Sequence, residues 1–282
     1  MSDILQDLTE QSFIRAIEEN MYGVTPFTHN WPGMEKYTSK DVSWCMTNNP
    51  FPVCNAIIRV NMKPQKIDPF LEKMIARAKE RKVNLICYIT EKTRPANLAE
   101  YLMAYGFTSQ GGSVGMAIDL ADLNEANRAP KGLEIIEVED EATLKTWCQV
   151  AGSSFGVPEV AIPSIVDYFI LEMKLKQPVK LYLGLLDGKP VATSNYYLGE
   201  GVCGLYFVGT LPEARNKGIG FAITQKPLLE AKKLGYRAGI LQASKMGRPV
   251  YLRLGFEEYC RIGSYSWIYE LNKEKEDGKA VR

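Results

Sequence analysis

The segment from Leu205 to Leu234 constrains the chain most. An apolar, strand-like run ends at Val208 and passes through Gly209-Thr-Leu-Pro-Glu-Ala-Arg-Asn-Lys-Gly-Ile-Gly220 straight into a helical pattern that Gly235 stops. Glycines 218 and 220 let backbone N–H groups converge, and the helix N-terminus adds partial positive charge, so the loop is suited to an anion. Arg215 and Lys217 are expected to bring full charges to its rim. Other phosphate motifs fit worse. A dinucleotide fingerprint needs a third glycine where Ile223 stands, and a P-loop needs a Gly-Lys-Ser/Thr run that is absent.

Around this segment the chain divides in two. From Ala121 to Gly132 the pattern breaks into a polar stretch punctuated by Pro130 and Gly132, and alternation resumes at Leu133, Ile135 and Val138. This places one domain over residues 1–125, a second over 132–271 and a charged tail over 272–282. In the second half, Ala142 to Val150 and Ser164 to Lys174 read as helices. Val179 to Leu186 and Pro190 to Leu198 read as a hairpin about Asp187-Gly188, followed by a strand from Val202 to Val208. Arg237 to Gln242, Arg248 to Leu254 and Tyr259 to Tyr269 read as strand, short helix and strand. Pro227 conflicts with the helix expected over Gly218 to Leu234, because a mid-helix proline removes a hydrogen bond and crowds the preceding turn.

The first half repeats this ending in shorter form. Asp68-Pro69 suits an N-cap and first helical position, Val83 to Thr90 a strand, Pro95 to Ala104 a helix and Gly112 to Leu120 a strand. Leu102-Met-Ala-Tyr-Gly-Phe107 thereby parallels Tyr251-Leu-Arg-Leu-Gly-Phe256, which points to duplication of one fold. The counterpart of the anion loop, Asn61-Met-Lys-Pro-Gln-Lys-Ile-Asp68, has no glycine, and Leu102 stands where Tyr251 stands. One anion site is expected, not two.

The remaining composition narrows the function. The 34 Lys and Arg nearly balance the 33 Asp and Glu, with no basic stripe, so a small or neutral partner is expected rather than nucleic acid or an anionic membrane. The apolar runs are strand-sized, and Met1 to Glu10 does not read as a secretory signal, so a cytoplasmic protein is expected. Six widely spaced cysteines without a C-x-x-C pair read as buried free thiols. A single histidine, His29, cannot build a multi-histidine metal site, and no metal is expected.

Arg215-Asn-Lys-Gly-Ile-Gly220 resembles the R/Q-x-x-G-x-G/A pyrophosphate motif of the GNAT superfamily of N-acyltransferases. The preceding strand Leu205 to Val208 and the later Tyr251-x-x-x-Gly255-Phe256 extend the likeness over Leu133 to Leu271. The resemblance implies an α+β, mixed α/β fold: two GNAT-like domains, the first degenerate, each a mostly antiparallel sheet flanked by helices. It implies acetyl-CoA or another acyl-CoA as co-substrate and a small-molecule amine as acceptor. The backbone of Val208 and Thr210 would pair with the pantetheine arm. The amides of Arg215, Asn216, Lys217, Gly218, Ile219 and Gly220 would hold the pyrophosphate. Tyr251 would protonate the departing thiolate, and Ser244, where many members carry asparagine, would bond the cofactor arm. The strand Val202 to Val208 carries no carboxylate, so Tyr206, a water chain or a group from the first half is left as the route for the amine proton. Two alternatives stand beside this reading: an acyl-CoA-binding sensor or scaffold without turnover, and an enzyme using a longer acyl group, as in glycine N-acyltransferase-like proteins.

Overall fold

The computed structural model describes residues 3–25, 31–126 and 128–270. Helix α1 (Glu10–Gly23) precedes β1 (Glu35–Thr38), β2 (Ser43–Met46), β3 (Ala56–Ile58), α2 (Ile67–Arg81), β4 (Leu85–Ile89), α3 (Leu98–Ala104) and β5 (Thr108–Asp119). The second half continues with β6 (Leu133–Glu137), α4 (Glu141–Phe155), α5 (Ile162–Lys174), β7 (Val179–Leu186), β8 (Lys189–Gly199) and β9 (Val202–Thr210). It ends with α6 (Ile219–Lys233), β10 (Ala238–Ala243), α7 (Arg248–Leu254) and β11 (Glu257–Trp267). The fold is α+β, with mostly antiparallel sheets flanked by helices.

Two compact units emerge, and they differ from the sequence halves 1–125 and 132–271. One comprises Met1–Met21 with Val114–Tyr259, the other Tyr22–Ser113 with Cys260–Arg282. In the first, the strand order is β5-β10-β9-β8-β7-β6, and residues 114–119 of β5 pair antiparallel with β10. In the second, the order is β1-β2-β3-β4-β11, and residues 263–267 of β11 pair antiparallel with β4. Each half thus lends its last strand to the other half's sheet. Burial gives the reason. Met116 and Ile118 of β5 lie in the core with Leu205, Ile223 and Leu241. Trp267 of β11 is buried with Trp44, Leu71 and Leu85. Local alternation shows that such strands exist but not which sheet their apolar faces fill.

Local chemistry explains most elements. Asp140 caps α4 by accepting from the Thr143 amide at 2.8 Å, and Gly156 ends it in the left-handed region. Asp187 and Gly188, at φ 49° and 76°, turn β7 into β8 with the twist a tight hairpin favours. The parallel between Leu102–Phe107 and Tyr251–Phe256 extends to the hydrogen bonds. Phe107 N donates to Leu102 O and Phe256 N to Tyr251 O, both at 3.0 Å, across left-handed Gly106 and Gly255.

Two local expectations change. Helix α2 starts at Ile67 behind a 3₁₀ turn, Pro64–Lys66, so Asp68 lies inside its first turn and is not the cap. Pro227 does not break α6, which runs unbroken from Ile219 to Lys233. The carbonyl that Pro227 deprives of a partner is that of Ile223, and the Ser194 hydroxyl donates to it at 2.8 Å. All six cysteines are free and buried, and burial pushes the Cys148 thiol up to about 12. His29 and the 272–282 tail lie outside the described residues. No helix among the described residues is long and apolar enough to cross a membrane.

Candidate functional site

The site starts where two parallel strands part. Strands β9 and β10 pair through Cys203–Gly239, Gly204–Ile240 and Leu205–Leu241. Beyond Leu205, β9 continues along β8 to Thr210, while β10 continues along β5 to Ala243. At the same level the β8–β9 register shifts between Thr193 and Asn195, so β9 carries one residue more than β8. Phe207 sits in this bulge at φ 49°, a conformation rare for a bulky side chain. Its carbonyl accepts from the Thr193 hydroxyl at 2.9 Å, and its ring packs on Trp147 and Phe169 at 5.5 and 5.4 Å. The bulge is therefore over-determined by its surroundings, and it re-aims the backbone at Phe207 and Val208 beside the opening.

The loop after β9 follows directly. A 3₁₀ turn, Pro212–Ala214, leads to Arg215, and Asn216 and Gly218 adopt left-handed conformations at φ 61° and 84°. A Cβ at Gly218 would stand 2.5 Å from the Arg128 carbonyl, whereas one at Gly220 would meet nothing nearer than Thr210 Oγ1 at 3.8 Å. Gly218 caps α6 without any side-chain hydrogen bond, and no acidic residue occupies the first turn. The first bond back onto the cap runs from Ala222 N to Gly218 O at 3.2 Å. By helix geometry the amides of Ile219, Gly220 and Phe221 precede it and point out of the helix end. Among the described residues this is a row of donors with no side-chain cap, and the only room a Cβ would find is at Gly220.

The cations behave differently from the sequence expectation. Arg215 is half-buried and turned back on the loop, donating from Nε to Thr210 O at 3.0 Å and from Nη2 to Ser154 O at 3.4 Å. It braces the turn. Lys217 is exposed at the rim. Sequence reasoning missed Arg128, whose guanidinium lies over the Phe221 ring at 5.3 Å and whose carbonyl abuts Gly218. Its segment is held to α6 by Gln225, which donates from Nε2 to Asn124 O at 2.7 Å. Nothing in the polar stretch around it marks Arg128 as adjacent to a helix that starts 91 residues later.

Of the remaining expected residues, Tyr251 is 7% exposed on α7, with its ring 6.0 Å from Phe256. Gly247 makes room for it, since a Cβ there would stand 2.8 Å from Tyr251 Cε2. Burial drives the Tyr251 hydroxyl well above the ordinary phenol range, so it keeps its proton at neutral pH. Ser244 lies just past β10, where its Oγ accepts from Gly247 N at 3.1 Å and shapes the entry to α7. Val208 and Thr210 are half-buried on β9 between the bulge and the loop. The first unit therefore places the split, the bulge, the donor array and the β10–α7 junction on consecutive elements.

Residues 145–256 match the family model described as the Acetyltransferase (GNAT) family. No curated protein sequence matches the chain. Among solved structures, a GCN5-related N-acetyltransferase from Kribbella flavida superposes with a TM-score of 0.64 at 17% identity, covering 93% of this chain and 96% of that one. A functionally unknown conserved protein from Staphylococcus epidermidis gives 0.65 at 14% identity over 86% and 97%. A tandem GNAT protein from the clavulanic acid biosynthesis pathway gives 0.54 at 12% identity over 94% and 96%. At these identities the likeness is one of fold, and it extends over both halves of the chain.

Proposed function

We propose that this chain, whose residues 145–256 carry a GNAT-family acetyltransferase domain, transfers an acetyl group from acetyl-CoA to a small-molecule amine by direct attack. The observation that carries the reading is the uncapped N-terminus of α6, with left-handed Gly218 at its cap, directly following a bulged strand that has parted from its neighbour. The amides from Arg215 to Gly220 would hold the pyrophosphate, with Lys217 at the rim. The backbone of Val208 and Thr210, on the edge of β9 that has parted from β10, would take the pantetheine arm as an added strand, and an amide beside the bulge would face the thioester oxygen. Ser244, already engaged at the α7 entry, would reach the arm through its hydroxyl proton.

In the transfer, a bond forms between the amine nitrogen and the thioester carbon while the carbon–sulfur bond breaks. Tyr251 donates its proton to the departing sulfur. The nitrogen loses one proton to solvent, which restores Tyr251, so the products are an amide and free CoA thiol.

Calorimetric titration with acetyl-CoA tests the cofactor assignment, with one site per chain expected. Failure to bind below millimolar concentration would sink it. The absence of a carboxylate on β9 favours one rival, an acyl-CoA-binding protein without turnover. Thiol release from acetyl-CoA across a panel of amines separates the two, and acyl-chain preference in the same assay tests a longer donor.

A further inference from the structure

Among the described residues, two buried polar atoms at the strand split lack partners. Asn195 on β8 is 3% exposed, and its Oδ1 makes no hydrogen bond; Gln242 on β10 has a buried Nε2 that makes none. Leaving a buried donor or acceptor unpaired costs about 1–3 kcal/mol, so such atoms need a reason. Register relates them. Asn195 pairs with Tyr206 across β8 and β9, and Gln242 is the first residue of β10 beyond the last pair, Leu241–Leu205. Leu205 and Leu241 both enter the core packed around α6. Side chains alternate along a strand, so Tyr206 and Gln242 share the opposite face at the mouth of the split.

Contacts confirm that face for Tyr206. Its hydroxyl donates to Asn20 Oδ1 of α1 at 2.7 Å, and Asn20 Nδ2 donates to Gly199 O at 2.7 Å. A Cβ at Gly204, two residues earlier on β9, would collide with the same Asn20. Tyr206 is thus fixed in place between the two unpaired amides. They lie on strands β8 and β10, with β9 and its Tyr206 between them, too far apart to satisfy one another.

We propose that Asn195 and Gln242, on either side of Tyr206, select the acyl acceptor as a small amine with a hydrogen-bond-accepting oxygen three bonds from its nitrogen: an amino alcohol or an α-amino carbonyl compound. The amine N–H donates to Asn195 Oδ1 and orients the nitrogen lone pair; Gln242 Nε2 donates to the oxygen. Neither amide takes a proton, so both are specificity residues. This inference rests on the acetyl-transfer reading above.

The test pairs substrates that differ in the oxygen. Thiol release from acetyl-CoA is measured with ethanolamine and glycinamide against ethylamine and propylamine. With rates expressed per neutral amine, the oxygen-bearing amines are expected to show kcat/KM about tenfold higher, the effect of one hydrogen bond. Gln242→Leu should erase that difference by raising acceptor KM, with KM for acetyl-CoA unchanged within about twofold. Equal rates for both classes, including none for either, in a protein that binds acetyl-CoA overturn the substrate class. Loss of acetyl-CoA binding would instead strike the parent reading. A second readout needs no substrate: Asn195→Leu and Gln242→Leu should leave the melting temperature of the ligand-free protein unchanged or raised. A clear fall in both would show the amides to be structural and overturn the proposal.

Discussion

Two helix openings, the one before α6 and the one before α2, hold corresponding places in two copies of one pattern, and they are built to opposite ends. Before α6 the backbone turns left-handed at Asn216 and Gly218, and no side chain among the described residues caps the helix. Before α2, Lys66 is right-handed behind a 3₁₀ turn that begins with Pro64. The Lys66 ammonium is engaged by the Asp41 carboxylate at 2.7 Å, which holds that carboxyl below its usual range. Asp68 adds a negative charge to the first turn, and Pro69 removes one of its amides. Every helix N-terminus carries the same dipole. Neither helix has a side-chain cap among the described residues, so what distinguishes the α6 opening is its left-handed backbone and a first turn free of both acid and proline.

The sharpest way to break this contrast is at Gly218. Valine there must adopt φ near 84° and push its Cβ against the Arg128 carbonyl. Acetyl-CoA affinity is expected to fall at least about 100-fold, or ~2.7 kcal/mol, as the loop rearranges. The reciprocal change, Lys66→Gly before α2, should leave the stoichiometry at one. A second binding event in calorimetry would show that the two openings differ less than their geometry indicates.

The helix-to-strand corners sharpen the comparison. Leu102 and Tyr251 begin the same hydrogen-bonded turn, but Leu102 is sealed in an apolar core while Tyr251 brings a hydroxyl into one. Tyr251→Phe removes the hydroxyl and keeps the packing. Turnover is expected to drop about 30-fold, the ~2 kcal/mol of a hydrogen bond to a developing anion, with acetyl-CoA affinity and melting temperature nearly unchanged. Parallel losses in affinity and stability would make Tyr251 a packing residue like Leu102.

Much of this was legible in the sequence, for a physical reason. The Gly209–Gly220 loop as a glycine-bearing turn into a helix, its flanking strand, and the Tyr251–Phe256 corner depend on glycines and short-range hydrogen bonds, which act within a few residues. The exchange of β5 and β11 between units was not legible, because period-two patterning shows that a strand has an apolar face without naming the sheet that buries it. Arg128 and Gln242 were missed for a related reason. Each acquires its place by packing against an element far along the chain, and neither belongs to a local motif. Arg215 was read as a free charge because sequence cannot show that two backbone carbonyls already hold it.

The smallest expected effect concerns the helices themselves. Helix α6 carries Pro227 in its middle, whereas the proline of α2 sits in the first turn, where no partner is lost. The difference is carried by Ser194, whose hydroxyl serves the Ile223 carbonyl that Pro227 leaves open. Ser194→Ala should therefore cost ~1 kcal/mol or slightly more in the parent protein, because a buried carbonyl is left unpaired. In a Pro227→Ala background the restored amide can serve that carbonyl, and the same substitution should cost only a few tenths of a kcal/mol. A double-mutant cycle by chemical denaturation measures the coupling directly. Additive costs would mean that Ser194 contributes through packing alone, and that α6 tolerates its proline by some means other than this hydroxyl.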